Sequence, residues 1–199
     1  MEKASYPRIV YLASHNRHKA QEIQAIVQDH FQIRGLHDFE KDINWTETGE
    51  TFEENALIKA LAVKPHTKHC VVGEDSGLVV PALNGEPGIY SARYAGVNST
   101  DQENREKLLS TLKSFSDDKR KAYFICTIAF IDENQQQSFY TGTLHGTIHN
   151  ASIGDFGFGY DPIFIPKDSQ KTLAQMTPEE KNSISHRKKA LEQWLLHNS

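Results

Sequence analysis

The stretch CVVGEDSGLVV, residues 70–80, sets two adjacent acidic residues between two apolar runs. Residues 70–72 predict a buried strand, and residues 78–80 resume the same apolar character. Because a glycine stands on either side of the intervening polar residues, we expect a turn there, with Glu74 and Asp75 at a strand end. Two neighbouring carboxylates in that position offer hard oxygen ligands to a divalent cation such as Mg²⁺.

Segments on both sides of this stretch alternate between strand and helix patterns. Residues 8–13 are a short apolar run ending in a polar turn, and helical spacing follows over 19–29 and again over 52–61. Later, residues 122–131 predict a central strand that pairs in a hairpin with 138–149. Capping patterns at 51–54, 100–103 and 177–180 predict helix starts, and apolar residues at helical spacing over 190–195 predict the last helix. The order predicts a single α/β domain over 1–199, with a mixed β-sheet flanked by helices.

Composition limits the partners of the chain. Its 199 residues are 38% hydrophobic and 24% charged, as in a soluble globular protein. The formal net charge of -4 provides no overall positive field, so we expect no nucleic-acid partner and no membrane partner. Cys70 and Cys126 each lie in an apolar stretch, which predicts core thiols in a reducing compartment, the cytoplasm.

Several basic and polar residues are candidates for binding phosphate. The segment SHNRHK, residues 14–19, brings hydroxyl, amide and ammonium donors to a predicted helix N-terminus. Lys59 lies on the polar side of the second helix and either projects toward phosphate or is a solubilising surface residue. Glu47 is a further carboxylate in a loop that could reach the same cation. The basic segment 181–189 is either a solvated helix face or a local polyanion site.

A glycine-rich aromatic loop, FGFGYDPIF at residues 156–164, has the composition of a base-stacking platform. The alternative is an aromatic plug that covers the sheet edge. His186 and Arg187 supply donors to a 6-oxo purine, whereas the 6-amino group of adenine would face donors with another donor. This pairing rule favours deaminated purines over adenine.

In this order, the segments SHNRHK, TETGETFEENALIKA, EDSGL, NGEPGIYSARYAG, FGFGYDPIF and MTPEEKNSISHRKKAL resemble the inosine triphosphate pyrophosphatase family, of the bacterial dITP/XTP type. The resemblance runs from about residue 9 to residue 195. It implies an elongated fold in which two lobes enclose a nucleotide cleft, a homodimer, and Mg²⁺-dependent hydrolysis of dITP, ITP and XTP to the monophosphate and pyrophosphate.

The resemblance also implies a role for each matching residue. The triphosphate would bind Ser14, His15, Asn16, Arg17, His18, Lys19, Lys59 and Ser76; Mg²⁺ and the attacking water would be held by Glu47, Glu74 and Asp75, with Asp75 as the general base; and the rest of the nucleotide would contact Phe158, Gly159, Tyr160, Asp161, Lys181, His186 and Arg187.

Two positions depart from the family pattern. The first loop usually carries Thr-Gly-Asn-x-Gly-Lys, whereas His15 and His18 replace both glycines here. The acidic pair is Glu74-Asp75 in this chain, whereas many bacterial members of the family have Asp-Asp. Two rival functions stay open at this point: a module that binds purine triphosphates without hydrolysing them, and a house-cleaning pyrophosphatase for modified pyrimidine or 7-methylguanine nucleotides.

Overall fold

The computed structural model describes residues 8–27, 30–40 and 42–198, without the side chains of Arg17 and His18. The strands of the described chain are β1 (Arg8–Ala13), β2 (Phe31–Arg34), β3 (Cys70–Val79), β4 (Lys121–Ile131), β5 (Gln137–Ile148) and β6 (Phe164–Pro166). Its α-helices are α1 (Arg17–Val27), α2 (Phe52–Val63), α3 (Asp101–Thr111), α4 (Pro178–Ile184) and α5 (His186–Asn198). Within these ranges, no helix combines the length and apolar character needed to cross a membrane.

The strands form one sheet in the order β2-β1-β3-β4-β5-β6. β1 is parallel to both β2 and β3, whereas β5 and β6 are antiparallel. β4 and β5 are neighbours joined by residues 132–136, which makes them the predicted hairpin. The expected α/β fold with a mixed sheet and flanking helices is confirmed. β2 and β6 were not predicted, because runs of 4 and 3 residues are too short to show an alternating pattern.

The predicted turn after residue 72 is wrong, because β3 continues without interruption from Cys70 to Val79. A glycine at position 73 is needed for close packing: a Cβ there would lie 2.0 Å from the carbonyl oxygen of Ala56 in α2. The acidic residues therefore lie within a buried strand and not at its end. Since successive side chains of a strand point to opposite faces, Glu74 and Asp75 enter different surroundings.

The chain forms two compact units, each with its own core. The first unit comprises the described residues up to Asp75, together with Thr127–Thr141 and the residues from Arg187 onward. Its core includes Tyr11, Ala56, Val71 and Ala129. The second unit comprises Ser76–Cys126 and Gly142–His186, and its core includes Leu78, Leu108, Phe124 and Phe164. Cys70 and Cys126 are both buried free thiols, as predicted.

Side-chain caps define where the helices begin. Thr51 accepts a hydrogen bond from the backbone N–H of Glu54 at the start of α2. Thr100 and Thr177 each form a reciprocal capping box, at the starts of α3 and α4. Ser185 is extended, with ψ of 152°, and so ends α4 immediately before α5. The basic segment 181–189 is thereby divided between two helices.

Candidate functional site

The candidate site of the first unit lies at the carboxyl end of β1. Ala13, the last residue of β1, pairs with Gly73 of β3, so the chain leaves β1 at Ser14 beside the acidic residues of β3. β1 is followed through α1 by β2 on one side and has β3 on the other. Ligands of α/β sheets bind at such a point, where connections leave neighbouring strands in opposite directions.

The first loop is organised by the side chain of Asn16. Its Oδ1 accepts a hydrogen bond from the backbone N–H of Lys19 at 3.2 Å, and the backbone N–H of Asn16 donates to Ser14 Oγ at 3.1 Å. The ring of His15 stacks on Trp45, with ring centroids 4.7 Å apart and planes at 24°. Ser14, His15 and Asn16 also line a groove of about 690 Å³. The side chains predicted at positions 17 and 18 lie outside the described part of the chain.

Glu74 is buried between two cations. Lys19 Nζ lies 2.9 Å from Glu74 Oε2, and Arg187 Nη2 lies 3.2 Å from Glu74 Oε1. Burial alone would raise the pKa of the Glu74 carboxyl, but the charges of Lys19 and Arg187 hold it well below its usual range. Arg187 also pairs with Glu22 of α1. Glu22 was not predicted as a site residue, although its spacing of three residues from Lys19 places both on one helix face.

Asp75 is also buried, and it pairs with a different cation. Lys59 Nζ lies 2.6 Å from Asp75 Oδ1 and 2.8 Å from Glu47 Oε1. Lys59 is only 5% exposed, so its interpretation as a solubilising surface residue is wrong. Burial raises the pKa of Asp75, and the charge of Lys59 opposes that rise without cancelling it. A buried carboxylate with a raised pKa is a better proton acceptor than an ordinary aspartate.

The loop that carries Glu47 is held by a residue that the sequence analysis missed. Asn55 of α2 is fully buried, and its Oδ1 accepts from the N–H of Gly49 at 2.9 Å while its Nδ2 donates to the carbonyl of Gly49 at 3.3 Å. This double hydrogen bond joins the end of the loop to the helix that also carries Lys59. The sequence did offer a signal for Asn55, because it lies beside the apolar residues of this helix and a polar side chain buried there needs hydrogen-bond partners.

The three predicted metal ligands do not form one cluster. In the described ranges, no group of three or more His, Cys, Asp or Glu side chains is arranged to hold a metal ion. Glu74 faces Lys19 and Arg187, whereas Glu47 and Asp75 share Lys59. Asp75 Oδ2 is buried and makes no hydrogen bond to the described residues. Glu47 and Asp75 therefore fit Mg²⁺, which requires only one or two protein carboxylates.

The aromatic loop of the second unit is organised by Asp161. Its Oδ2 accepts hydrogen bonds from the backbone N–H of Phe158 at 2.9 Å and from Lys181 Nζ at 2.8 Å. Lys181 Nζ also lies 4.3 Å from the centroid of the Phe158 ring. Lys181 is buried, as are the side chains at positions 186 and 187, so the segment is not a solvated helix face.

The two alternatives for the aromatic loop apply to different residues. Tyr160 is buried in the core of the second unit, and its hydroxyl donates to the carbonyl of Ser91 at 2.8 Å. Phe158 is half-buried, and Phe156 is exposed. Tyr160 therefore plugs the core, while the two phenylalanines present ring surface that a base can contact.

His186 and Arg187 are consecutive residues with different neighbours. The His186 ring stacks on Phe124, with centroids 4.9 Å apart and planes at 11°. The guanidinium of Arg187 instead contacts acidic side chains of the first unit. Ser76, the next residue of β3 after the acidic pair, is half-buried. The structure thus places six predicted residues of the first unit in two ion-pair groups: Lys19, Glu74 and Arg187 form one, and Glu47, Lys59 and Asp75 form the other.

Comparison with known proteins identifies the family of this chain. The model of the Ham1 family matches residues 10–196. The chain is 47% identical over 188 residues to a dITP/XTP pyrophosphatase of Clostridium perfringens, covering 91% of this chain and 92% of that protein. It is 44% identical over 192 residues to a dITP/XTP pyrophosphatase of Oceanobacillus iheyensis, covering 94% and 97%.

Two solved structures share this fold. The Ham1 protein of Staphylococcus aureus has a TM-score of 0.86 at 40% identity, with 96% of this chain and 97% of that chain covered. A HAM1 protein of Coxiella burnetii also has a TM-score of 0.86 at 40% identity, with 96% and 98% covered. With the family model matching nearly the whole chain, this protein belongs to the Ham1 family.

Proposed function

We propose that this protein is a nucleoside triphosphate pyrophosphatase that hydrolyses deaminated purine nucleotides, dITP, ITP and XTP, to the monophosphate and pyrophosphate. Family membership and the activity named for its relatives support the reaction and the substrate class. The observation that carries the proposal is the buried ion pair of Lys59 with Asp75, 2.6 Å apart at the carboxyl end of β1. It joins a phosphate-binding charge to a proton acceptor.

The proposed reaction is the attack of water on the α-phosphorus. A bond forms between the water oxygen and that phosphorus, the bridging α–β phosphorus–oxygen bond breaks, and pyrophosphate leaves with the bond electrons. Asp75 takes the proton of the attacking water as the general base. Lys19 and Lys59 carry ammonium groups that offset the charge developing on the phosphate oxygens.

We propose Mg²⁺ as the cofactor, with Glu47 and Asp75 as its protein ligands. A bound Mg²⁺ supplies Lewis-acid polarisation of phosphate oxygens. Asp75 Oδ2, which is buried and accepts no hydrogen bond from the described part of the chain, supports this assignment, as does the proximity of both carboxylates to the same Lys59 ammonium. Glu74 supports the site indirectly, because it holds Lys19 and Arg187 in place.

We propose that the loop 156–161 and the hydrogen-bond donors that follow it in the chain select the base of the nucleotide. The ring of Phe158 offers a stacking surface, and Lys181 beside it offers a donor to a 6-oxo group. Adenine would present a 6-amino donor to that ammonium and lose the hydrogen bond. The relation between these two residues thus supports a preference for deaminated purines over adenine nucleotides.

The test is pyrophosphate release from dITP, XTP, dGTP and dATP at equal concentrations, with and without Mg²⁺. We expect metal-dependent pyrophosphate from dITP and XTP, with little from dGTP or dATP. Tight binding of dITP without pyrophosphate would identify a non-hydrolysing binding module. Release of single phosphate would contradict attack at the α-phosphorus, and activity confined to modified pyrimidine or 7-methylguanine nucleotides would support the second rival.

Assembly and location are also part of the proposal. The family resemblance supports a homodimer, for which light scattering should give the mass of two chains. Two buried free thiols suit a reducing compartment, so we propose that the enzyme acts on the cytoplasmic precursor pool. A monomer at concentrations where the enzyme is fully active would contradict the assembly without affecting the proposed reaction.

A further inference from the structure

Both backbone polar groups of Gly159 are bound by side chains of α3. The N–H of Gly159 donates to Asp101 Oδ2 at 2.7 Å, and the carbonyl of Gly159 accepts from Arg105 Nη1 at 2.7 Å. Asp101 and Arg105 are four residues apart and therefore lie on one face of the helix. Each hydrogen bond involves a charged partner, which makes it stronger than a bond between neutral groups.

Gly159 does not fix its own backbone conformation, because glycine has no side chain to restrict it. Its φ is +60°, in the left-handed region, and a Cβ added there would have no atom within 4 Å. The glycine is therefore required by the conformation of the chain and not by a lack of space. The two hydrogen bonds from α3 hold this conformation at the centre of the loop 156–161, between Phe158 and Tyr160.

The helix that provides these side chains is itself well anchored. Thr100 and Glu103 form a capping box at the start of α3. Asn104 lies between Asp101 and Arg105 in the sequence, and its side chain is buried. It donates to the carbonyl of Ala92 at 3.2 Å and accepts from the N–H of Ala95 at 2.7 Å. α3 is thus tied to the segment that precedes it, and its first turn is a rigid base for the aromatic loop.

Several polar groups around Gly159 are already engaged within the loop. Tyr160 is committed to the core, and the backbone N–H of Phe158 is bound by Asp161. The only backbone donor of Gly159 is already engaged by Asp101. The half-buried ring of Phe158 directly precedes Gly159, so its direction depends on the peptide that Asp101 and Arg105 hold.

We propose that Asp101 and Arg105 are positioning residues that preset the aromatic loop for the nucleoside part of the substrate. The inference rests on the proposed function for the identity of that substrate. Neither side chain is assigned a contact with the nucleotide: both act through Gly159. Their removal should weaken the binding of the nucleoside and leave the binding of pyrophosphate, a ligand of the first unit, unchanged.

The first test needs no nucleotide. Amide hydrogen exchange at Gly159, measured by NMR, should be slow in the unmodified protein and much faster in Asp101→Ala. Asp101→Asn, which keeps an acceptor oxygen, should restore slow exchange. Glu106→Ala is the matched control, since Glu106 is exposed on the same helix and contacts Gln102. Equal exchange at Gly159 in all four proteins would overturn the inference.

The second test separates nucleoside from phosphate. For Asp101→Ala and Arg105→Ala we expect the KM for dITP to rise about tenfold, as for the loss of one charge-assisted hydrogen bond, with kcat changed less than about twofold. Binding of dIMP should weaken in parallel, and inhibition by pyrophosphate should not change. An unchanged KM for dITP, or equal losses for dIMP and pyrophosphate, would overturn the inference. If the unmodified protein releases no pyrophosphate from dITP, the proposed function fails, while the Gly159 exchange result stands independently.

Discussion

Glu74 and Asp75 are consecutive residues of one buried strand, yet different cations neutralise them: Lys19 and Arg187 contact Glu74, and Lys59 contacts Asp75. The pleat of β3 separates the two carboxylates onto opposite faces. Their electrostatic consequences are opposite as well, since the pKa of Glu74 is lowered and that of Asp75 is raised.

Asp75→Asn should reduce kcat for dITP by about 10²–10⁴-fold, because the amide cannot accept the proton of the attacking water. The melting temperature should change little, since the amide keeps the shape and one acceptor for Lys59, and Lys59 keeps its ion pair with Glu47. Initial-rate measurement of pyrophosphate release checks this, with the exposed Asp42→Asn as the control. Near-normal turnover in Asp75→Asn would show that Asp75 is not the general base.

Lys59→Met should destabilise the protein by about 3–5 kcal/mol, because the buried carboxylate of Asp75 loses its partner. Lys68→Met, at an exposed site, should change the free energy of unfolding by less than about 0.5 kcal/mol. The double variant Lys59→Met/Asp75→Asn should recover part of the loss, as measured by a double-mutant cycle in urea. Additive effects of the two changes would contradict a direct interaction.

Glu74 should make stability depend on pH on the acid side. Its folded pKa lies well below the ordinary value of 4.5, so its contribution is present above pH 4.5 and is lost as the pH falls through the folded pKa. Urea denaturation from neutral pH downward should therefore show a fall in the free energy of unfolding. The fall should be shallower in Glu74→Gln and unchanged in Glu53→Gln, an exposed control. Parallel curves for all three proteins would rule out this role.

Gly73→Ala should be strongly destabilising, because the added Cβ would meet the backbone carbonyl of Ala56 at 2.0 Å. Overpacking of this kind costs roughly 1–3 kcal/mol or more. Gly35→Ala is a suitable control, since its nearest atoms, at 2.7 Å, belong to the movable ring of His37. The measurement is the urea midpoint of each variant, and equal midpoints would show that close packing at position 73 is not required.

The stack of His15 on Trp45 should couple the first loop to the loop carrying Glu47. An aromatic pair of this kind contributes about 0.5–1.5 kcal/mol. In a Trp194→Phe background, His15→Gly should shift the Trp45 fluorescence to longer wavelength and raise the Mg²⁺ concentration needed for half-maximal activity. His15→Phe should restore both values. An unchanged Mg²⁺ requirement in His15→Gly would mean that the stack does not position Glu47.

Much of the fold was predictable because its signals are local. The capping pattern at Thr100, the apolar run of β4 and the turn between β4 and β5 each specify structure through neighbouring residues, and all were found where expected. The ordered motifs also identified the residues that collect in the first unit. Such patterns remain visible in sequence because helix and strand periods are short.

Contacts between distant segments decided the rest. The continuity of β3 depends on the approach of α2 to Gly73, which no local pattern records. Glu22, which pairs with Arg187, and Asp101, which holds Gly159, were missed because each looks like an ordinary solvent-facing residue of its helix. The sequence by itself determined most of the elements, the family and the chemical types at the site. Only the tertiary structure decided which charge meets which, because burial and pairing depend on residues far apart in the chain.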